Sequence, residues 1–220
     1  MGGLRLKKIA VLISGKGTNC QALIEAAKRG SLQACIEVVI SNNPLAEGIK
    51  MAEDKGVATQ IVDHRVFASR EDFEQQLADT VASYQVDLIV LAGFMRKLTA
   101  GFVSRFKNRI LNIHPSLLPR HRGLDTHKKV LACGDAQHGC TVHFVNEQLD
   151  AGPIVAFACL SVTGHDTEAA LKERVHALEY QLYWRALNLV CLDKVFFRDD
   201  GLFSDAGPMP SVGLELPLGV

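Results

Sequence analysis

Residues 111–119 read Leu-Asn-Ile-His-Pro-Ser-Leu-Leu-Pro, which is typical of a strand end followed by a proline-bounded turn. If the strand continues to His114, its period of two places the side chains of Asn112 and His114 on the same face. Pro115 and Pro119 end the strand, because proline lacks the N–H that a strand ladder needs. An amide and an imidazole are therefore predicted side by side at the carboxyl end of a strand, where open α/β sheets bind their ligands.

The composition is typical of a globular protein without a strongly charged surface. The 220 residues suffice for one substantial core, and 24 basic and 24 acidic residues give a formal net charge of zero. A balanced charge provides no large positive field to attract nucleic acid, although it leaves room for a local basic patch. We expect residues 1–203 to form a single domain. Residues 204–220 are rich in glycine and proline and are expected to form a flexible tail.

The cysteines and the apolar runs indicate where the protein resides. The six cysteines contain no C-x-x-C pair and no metal-ligand spacing, so we expect free thiols in a reducing compartment. The N-terminal residues contain no signal-peptide apolar region, and no apolar run approaches the roughly 18 residues that a membrane span needs. These observations predict a cytoplasmic protein that does not contact a membrane.

Short apolar runs alternate with helical patterns in the first half of the chain. Strands are predicted at residues 8–13, 36–40, 58–62, 87–91 and 109–113. Helical patterns follow the first three strands. The first ends near Gly30, the second spans about Leu45 to Lys55, and the third, for which Ser69 is a good N-cap candidate, ends near Tyr84. Strands that alternate with helices indicate βαβ units and a parallel sheet.

The pattern changes in the second half of the chain. Residues 139–145 and 154–162 are predicted to be longer, antiparallel strands, followed by a helix from about Thr167 to Val190. One apolar stripe of this helix is predicted to consist of Leu171, Val175, Leu178, Leu182 and Leu189. Residues 195–197 and 202–203 are predicted to form a terminal hairpin. The predicted fold class is α/β, with a mainly parallel Rossmann-like sheet, helices on both faces and antiparallel strands added C-terminally.

A glycine-rich loop, residues 15–19, lies between the first strand and the first helix. Free backbone N–H groups and the helix dipole favour an anion at such a position. A dinucleotide fingerprint would need a third glycine where Cys20 stands, and an acid where Asn42 and Asn43 stand. A single phosphate is therefore more plausible than NAD, and a tight turn without a ligand remains an open alternative.

Asn112, His114 and Asp150 together suggest acyl-transfer chemistry. They supply an oxyanion donor, a proton-transfer group and a carboxylate that could orient the imidazole, without a covalent enzyme intermediate. Structural alternatives remain open for each of them: a strand-end cap for Asn112, a buried histidine bonded to a backbone carbonyl for His114, and a turn former for Asp150.

No other catalytic machinery is indicated by the sequence. The histidines form no H-E-x-x-H motif, and His138 and His143 are expected to point to opposite faces of a strand, so we expect no metal. The basic run Arg120-His121-Arg122 is either a solvated loop or a binding site for an anion.

Two motifs in combination resemble the formyltransferases that use 10-formyltetrahydrofolate. They are the stretch from Asn112 to Pro119 and, further along the chain, Leu149-Asp150-Ala151-Gly152-Pro153. Residues 12–19 and 91–96 are similar to those of the family members that act on glycinamide ribonucleotide. The resemblance spans residues 7–203, nearly the whole chain.

The resemblance implies a reaction and roles for particular residues. The reaction is transfer of a formyl group from N10 of the folate to the amine of glycinamide ribonucleotide in de novo purine biosynthesis. For this reaction we expect direct attack through a tetrahedral intermediate. The catalytic residues implied are Asn112, His114 and Asp150. The ribonucleotide would be bound by Gly17, Thr18, Asn19, His176 and Glu179. The folate would be bound by Arg70, Met95, Arg96, Lys97, Leu98 and Asn112. For His176 and Glu179, solvated positions on the helix remain an alternative.

Rival functions fit the sequence less well. A methionyl-tRNA formyltransferase is expected to carry a further C-terminal domain and a basic surface, and a formyltetrahydrofolate hydrolase an N-terminal regulatory domain. A nicotinamide oxidoreductase would need the dinucleotide fingerprint, and a non-catalytic binding protein has no use for a proton carrier. We expect small-molecule substrates, no nucleic acid or membrane partner, and a monomer or homodimer.

Overall fold

The computed structural model describes residues 5–198 and 201–218. The residues group into two compact units, the first ending at Leu111 and the second beginning at Asn112. The boundary falls within one strand, Ile110–His114, so the stretch around Asn112 opens the second unit.

The first unit contains four parallel strands in the order β4-β1-β2-β3. The strands are β1 (Lys7–Ile13), β2 (Ala34–Ser41), β3 (Thr59–Ile61) and β4 (Leu88–Leu91). The helices are α1 (Thr18–Lys28), α2 (Glu47–Asp54), α3 (Arg70–Ser83) and α4 (Ala100–Arg105), with a short 3-10 helix at His64–Val66. The fifth strand, β5 (Ile110–His114), begins in this unit, where the Ile89 N–H donates to the Arg109 carbonyl at 2.8 Å.

Most of the apolar runs of the sequence became buried strands, as predicted, whereas the residues of β3 are half-buried or exposed. In β1 the residues from Ile9 to Ile13 are fully buried, which is expected for a strand of a parallel sheet covered on both faces. The N-cap prediction for α3 is confirmed, because Ser69 Oγ accepts the Asp72 N–H at 3.0 Å. α2 begins at Glu47, two residues later than predicted, since Asn43 Oδ1 accepts the Leu45 N–H at 3.1 Å and holds this segment as a turn.

The second unit contains the antiparallel strands predicted for the C-terminal half. β6 (Gln137–Phe144) pairs antiparallel with β7 (Ile154–Ser161), and β5 ends in this unit beside β6. Its helices are α5 (Thr126–Cys133), which the sequence did not predict, and α6 (Glu168–Cys191). α6 packs on β6 and β7. Its predicted apolar stripe is fully buried at Leu171, Val175, Leu178 and Leu182, whereas Leu189 is half-buried.

The chain ends in short strands. The predicted hairpin is confirmed, with β8 (Val195–Arg198) antiparallel to β9 (Gly201–Ser204); its turn residues 199 and 200 lie outside the described residues. No regular structure was predicted after Ser204, and here the structure differs: β10 (Gly207–Pro208) pairs with β9, and β11 (Leu214–Glu215) pairs parallel with β7. Two-residue strands leave no periodic pattern in a sequence, because backbone hydrogen bonds alone define them.

The predicted fold class is confirmed, since parallel strands alternate with helices and the antiparallel strands follow later in the chain. Across residues 5–198 and 201–218, no helix combines the length and apolar character needed to cross a membrane. The single domain at 1–203 and the flexibility of the tail stay predictions.

Candidate active site

Asn112 and His114 lie at the end of β5, two residues apart, as the sequence predicted. The strand period places both side chains on one face. His114 is 5% exposed, so its imidazole is held by protein groups and not by bulk water. A polar pair at this position needs partners, because burying polar groups without hydrogen bonds is costly.

Both ring nitrogens of His114 face acceptors. Nδ1 lies 3.5 Å from Asp150 Oδ2, and Nε2 lies 3.0 Å from the backbone carbonyl of His121. The carbonyl can only accept, so Nε2 carries the proton. An imidazolium has an N–H for each of the two acceptors, whereas a neutral ring has only one. The predicted proximity of His114 and Asp150 is confirmed. The same imidazole also binds a backbone carbonyl, which was the structural alternative for His114.

The Asp150 carboxylate is positioned by a backbone hydrogen bond and by the turn that follows it. Oδ2 accepts the Gly123 N–H at 2.9 Å, and the side chain is 10% exposed. The backbone of Asp150 is left-handed, with φ of 47°. The following turn is packed so closely on β6 that a Cβ at Gly152 would lie 1.9 Å from the Phe144 carbonyl oxygen. The glycine of this motif therefore allows the turn to approach the strand and places Asp150 beside His114.

His143 is a site residue that the sequence analysis missed. Its Nδ1 lies 2.9 Å from the Phe144 carbonyl and therefore donates, which leaves Nε2 to accept the Asn112 Nδ2–H at 3.2 Å. Burial lowers the pKa of His143 to about 4, so the ring is neutral near pH 7 and can accept this bond. His143 thereby fixes which way the Asn112 amide points. Its only sequence signal was a histidine on a predicted strand, because the neighbouring strand and its register were unknown.

The segment after β5 is held to β6 by the hydroxyl group of Thr141. Thr141 Oγ1 donates to the Ser116 carbonyl at 2.7 Å and accepts the Leu118 N–H at 3.1 Å. Further on, Asp135 binds two members of the basic run, with Arg120 Nη2 at 2.5 Å and His121 Nε2 at 2.6 Å. These two basic residues therefore pair with a carboxylate of their own chain.

A buried histidine pair lies nearby in the second unit. His127 Nδ1 is 3.0 Å from His138 Nε2, and the two rings meet edge to face. Their residues are only 8% and 1% exposed. Burial, followed by the charges of neighbouring groups such as His176, lowers the pKa of His127 to about 4. The pKa of His138 also falls to about 4, again mainly through burial. The pair is therefore neutral near pH 7.

We expect this pair to make the fold acid-sensitive between about pH 6.5 and 4. The unfolded histidines take up protons near pH 6.5, whereas the folded pair resists protonation until about pH 4. The stability contribution is complete above pH 6.5 and is lost as the pH falls through this window, by about 3 kcal/mol for each histidine. Urea unfolding at a series of pH values measures this slope.

His138→Gln is expected to flatten that slope, because it removes one of the two titrating rings. The matched control is His165→Gln, which changes an exposed histidine and should keep the wild-type slope. Equal slopes in all three proteins would contradict the prediction.

The glycine-rich loop of the first unit leads directly into α1. Gly17 is the N-cap residue with φ of 71°, a left-handed conformation that favours glycine, and Thr18 and Asn19 begin the helix. The Gly15 carbonyl accepts the Gly48 N–H at 3.0 Å. A Cβ at Gly48 would lie 2.6 Å from Ile13 Cδ1, so only glycine lets α2 approach this loop so closely. The N–H groups of the first helical turn have no intrahelical acceptor, which suits an anion.

The segment predicted to contact the folate, Met95–Leu98, follows β4 in the first unit. Ser14, which the sequence analysis did not assign, accepts the Met95 N–H at 2.8 Å and donates to Asn42 Oδ1 at 2.6 Å. The N–H groups of Arg96, Lys97 and Leu98 form no hydrogen bond with another described residue. The Arg96 guanidinium lies over the Phe73 ring at 5.4 Å, and its buried Nε also lacks a partner within 5–198 and 201–218.

Two further predicted site residues lie on α6. Glu179 is 4% exposed, so the alternative of a solvated position is wrong for this residue. Its carboxylate adds to burial, the larger cause, in raising the pKa values of the Cys140 thiol and the Tyr183 hydroxyl. His176 is half-buried, and burial followed by Lys172 lowers its pKa.

The sequence predicted no metal site. In the described part of the chain, no group of three or more His, Cys, Asp or Glu side chains could hold a metal ion. The absence of a metal from the reaction stays a prediction.

Comparison with known proteins identifies the class. The chain belongs to the formyl transferase family, whose sequence model matches residues 7–187. The phosphoribosylglycinamide formyltransferase of Escherichia coli K12 is 38% identical over 205 residues, which cover 93% of this chain and 97% of that enzyme. The resemblance found in the sequence motifs is confirmed.

A solved structure and a longer relative extend this comparison. The phosphoribosylglycinamide formyltransferase structure from Coxiella burnetii is 46% identical, with a TM-score of 0.92, and the match covers 97% of this chain and 100% of that chain. The trifunctional purine biosynthetic protein adenosine-3 of Drosophila melanogaster is 43% identical over 188 residues, 84% of this chain, but the chain spans only 14% of that protein's length.

Proposed function

We propose that this chain transfers the formyl group of 10-formyltetrahydrofolate to the amine of glycinamide ribonucleotide, as a step of purine biosynthesis. The observation that carries the proposal is the His114–Asp150 contact of 3.5 Å, beside an Asn112 amide that is oriented by the neutral His143. The names of the E. coli and Coxiella relatives support the same substrate class.

The proposed chemistry is direct attack without an acyl-enzyme. The substrate amine adds to the formyl carbon, and the carbonyl electron pair moves to oxygen, giving a tetrahedral intermediate. When the bond from that carbon to folate N10 breaks, its electron pair stays on N10, and the proton lost by the attacking nitrogen is delivered there. His114, with an ordered water, is the proposed proton carrier.

Asn112 and His114 are proposed to stabilise the oxygen of the intermediate. The Asn112 amide has two N–H groups and donates one to His143, so the other is available to a substrate oxygen. His114 Nε2 donates to the His121 carbonyl. This hydrogen bond must be replaced by one to the substrate before His114 can act. Preorganised donors of this kind contribute about 10²–10³ in rate.

Most of the residues proposed to bind the two substrates lie in the first unit. The loop at Gly17, Thr18 and Asn19 would hold the ribonucleotide phosphate at the N-terminus of α1, where the helix dipole favours an anion. Arg70 and the Met95–Leu98 segment would hold the folate, a dianion at its glutamate end. The unpartnered Nε of Arg96 and the unbonded backbone N–H groups of this segment supply the donors. His176 and Glu179 remain proposed contacts of the ribonucleotide.

Gly48→Ala is expected to weaken ribonucleotide binding. The new methyl group would overlap Ile13 Cδ1 and press on the Gly15 carbonyl at 3.0 Å and Gly17 Cα at 3.1 Å, which displaces the loop. We expect the KM for the ribonucleotide to rise about tenfold, equivalent to about 1.4 kcal/mol, with a smaller change in the KM for the folate. Gly164→Ala is the control, because a Cβ there meets nothing within 4 Å. A Gly48→Ala enzyme with the KM of the control would argue against phosphate binding at this loop.

A spectrophotometric assay tests the proposed function directly. Purified protein is mixed with 10-formyltetrahydrofolate, with and without glycinamide ribonucleotide. Deformylation that depends on the ribonucleotide is the expected result. Deformylation in both tubes would indicate a hydrolase, and no reaction in either would refute the proposed activity.

A further inference from the structure

Glu74 is a buried carboxylate that neither the sequence motifs nor the proposed mechanism uses. It lies on the inner side of α3, is 4% exposed, and follows Phe73, which is 1% exposed. A buried carboxylate is costly unless charged or polar donors surround it. Its partners therefore indicate what the carboxylate is for.

Three N–H or O–H groups converge on the Glu74 carboxylate. The Arg70 Nε–H donates to Oε1 at 3.2 Å, and the Thr99 N–H lies between the two oxygens, at 3.1 and 3.0 Å. The Thr99 hydroxyl donates to Oε2. That hydroxyl also accepts the Phe102 N–H at 3.3 Å, so its own proton is directed to Glu74. All three contacts need an acceptor, and a carboxylate is the side chain that only accepts.

These contacts fix both parts of the proposed folate site. Arg70 is one predicted folate ligand, and Thr99 is the residue directly after the Met95–Leu98 segment. One residue before Glu74, Phe73 supports the Arg96 guanidinium at 5.4 Å. At the other end of the segment, Ser14 holds the Met95 N–H at 2.8 Å. The segment is therefore tied at both ends, and α3 determines where its C-terminal end and its arginine lie.

We propose that Glu74 is a positioning residue for the folate substrate, a role that rests on the proposed function. Its carboxylate holds the Arg70 guanidinium and the Thr99 backbone in one arrangement, so that Arg70, Arg96 and the N–H groups between Met95 and Thr99 face the ligand together. Geometry matters here because a guanidinium recognises a carboxylate through directed pairs of hydrogen bonds.

Glu74→Gln is the decisive substitution. Glutamine has nearly the same shape, but its amide offers one accepting oxygen and an NH₂ group that opposes one of the three donors. We expect the KM for 10-formyltetrahydrofolate to rise about tenfold or more, with the KM for the ribonucleotide and kcat changed by less than about threefold. Glu71→Gln is the matched control, since it removes the same charge from an exposed position of the same helix and should keep all three wild-type values.

The contrary outcomes are distinct from one another. A wild-type protein without ribonucleotide-dependent deformylation would overturn the proposed function and the role of Glu74 with it. An active wild type with an unchanged Glu74→Gln variant would overturn the positioning role alone. A fall in kcat and equal rises in both KM values, with a lower melting temperature, would show a purely structural role and would also overturn it.

A second pair of variants covers the case in which Glu74→Gln does not fold. Thr99→Ser keeps the hydroxyl that donates to Glu74, and Thr99→Val removes it at similar volume. We expect Thr99→Ser to retain the wild-type KM for the folate and Thr99→Val to raise it severalfold. Equal folate KM values for the two variants would overturn the proposal.

Discussion

Replacing His114 with alanine is expected to lower kcat by about 10²–10⁴-fold, because the proposed proton carrier is lost. The same change removes a donor to the oxygen of the tetrahedral intermediate. The KM values should change much less, since neither role operates before the amine attacks. Steady-state kinetics with both substrates varied measures this separation.

The His114 result depends on a folded variant. His114 is 5% exposed, so the truncation also leaves a small cavity and an unpaired His121 carbonyl. Far-UV circular dichroism and thermal melting establish the fold, and His114→Asn gives a second, polar replacement. His165→Ala is the control at an exposed histidine. A folded His114→Ala protein with kcat close to that of the control would rule out the assignment.

Asp150→Asn is expected to lower kcat on the order of 10²-fold while the KM values stay near those of the wild type. Asparagine can keep its oxygen at the position of Oδ2, where it accepts the Gly123 N–H and still faces His114 Nδ1. The NH₂ group then takes the place of Oδ1, which lies 3.9 Å from His143 Nε2, and His114 faces a neutral amide oxygen instead of a carboxylate. The ring loses the partner that would balance its positive charge during proton transfer.

Asp166→Asn provides a matched control for this prediction. Asp166 is also a carboxylate that accepts a backbone N–H, from Thr163 at 2.7 Å, and pairs with a cation, Arg174 at 2.7 Å. It has no proposed catalytic role, so its loss should leave kcat nearly unchanged. The effects of His114→Ala and Asp150→Asn should also fail to add in the double variant, because the carboxylate acts through the histidine. An Asp150→Asn enzyme as active as Asp166→Asn would leave Asp150 as a turn residue only.

The sequence alone predicted those features of the protein that depend on residues close together in the chain. Apolar runs and helical periods identified the main strands and helices, because side-chain period is a local property. The Asn112–His114 spacing and the Asp150 turn identified the candidate catalytic set, and their combination identified the family. Helix α4 and the last two strands were missed, since each is too short to show a period. Helix α5 was also missed, although it is as long as α2, which was predicted.

Only the tertiary structure decided which distant residues meet. His143 orients Asn112 from a different strand, Glu74 binds Thr99 from a different helix, and Gly48 supports the glycine-rich loop from α2. Each contact depends on strand register or on how closely two elements pack. Both quantities involve residues that are far apart in the chain, so the local pattern of a single sequence does not show them. The sequence determined the chemistry that the chain carries, and the packing of distant segments determined how those groups are held.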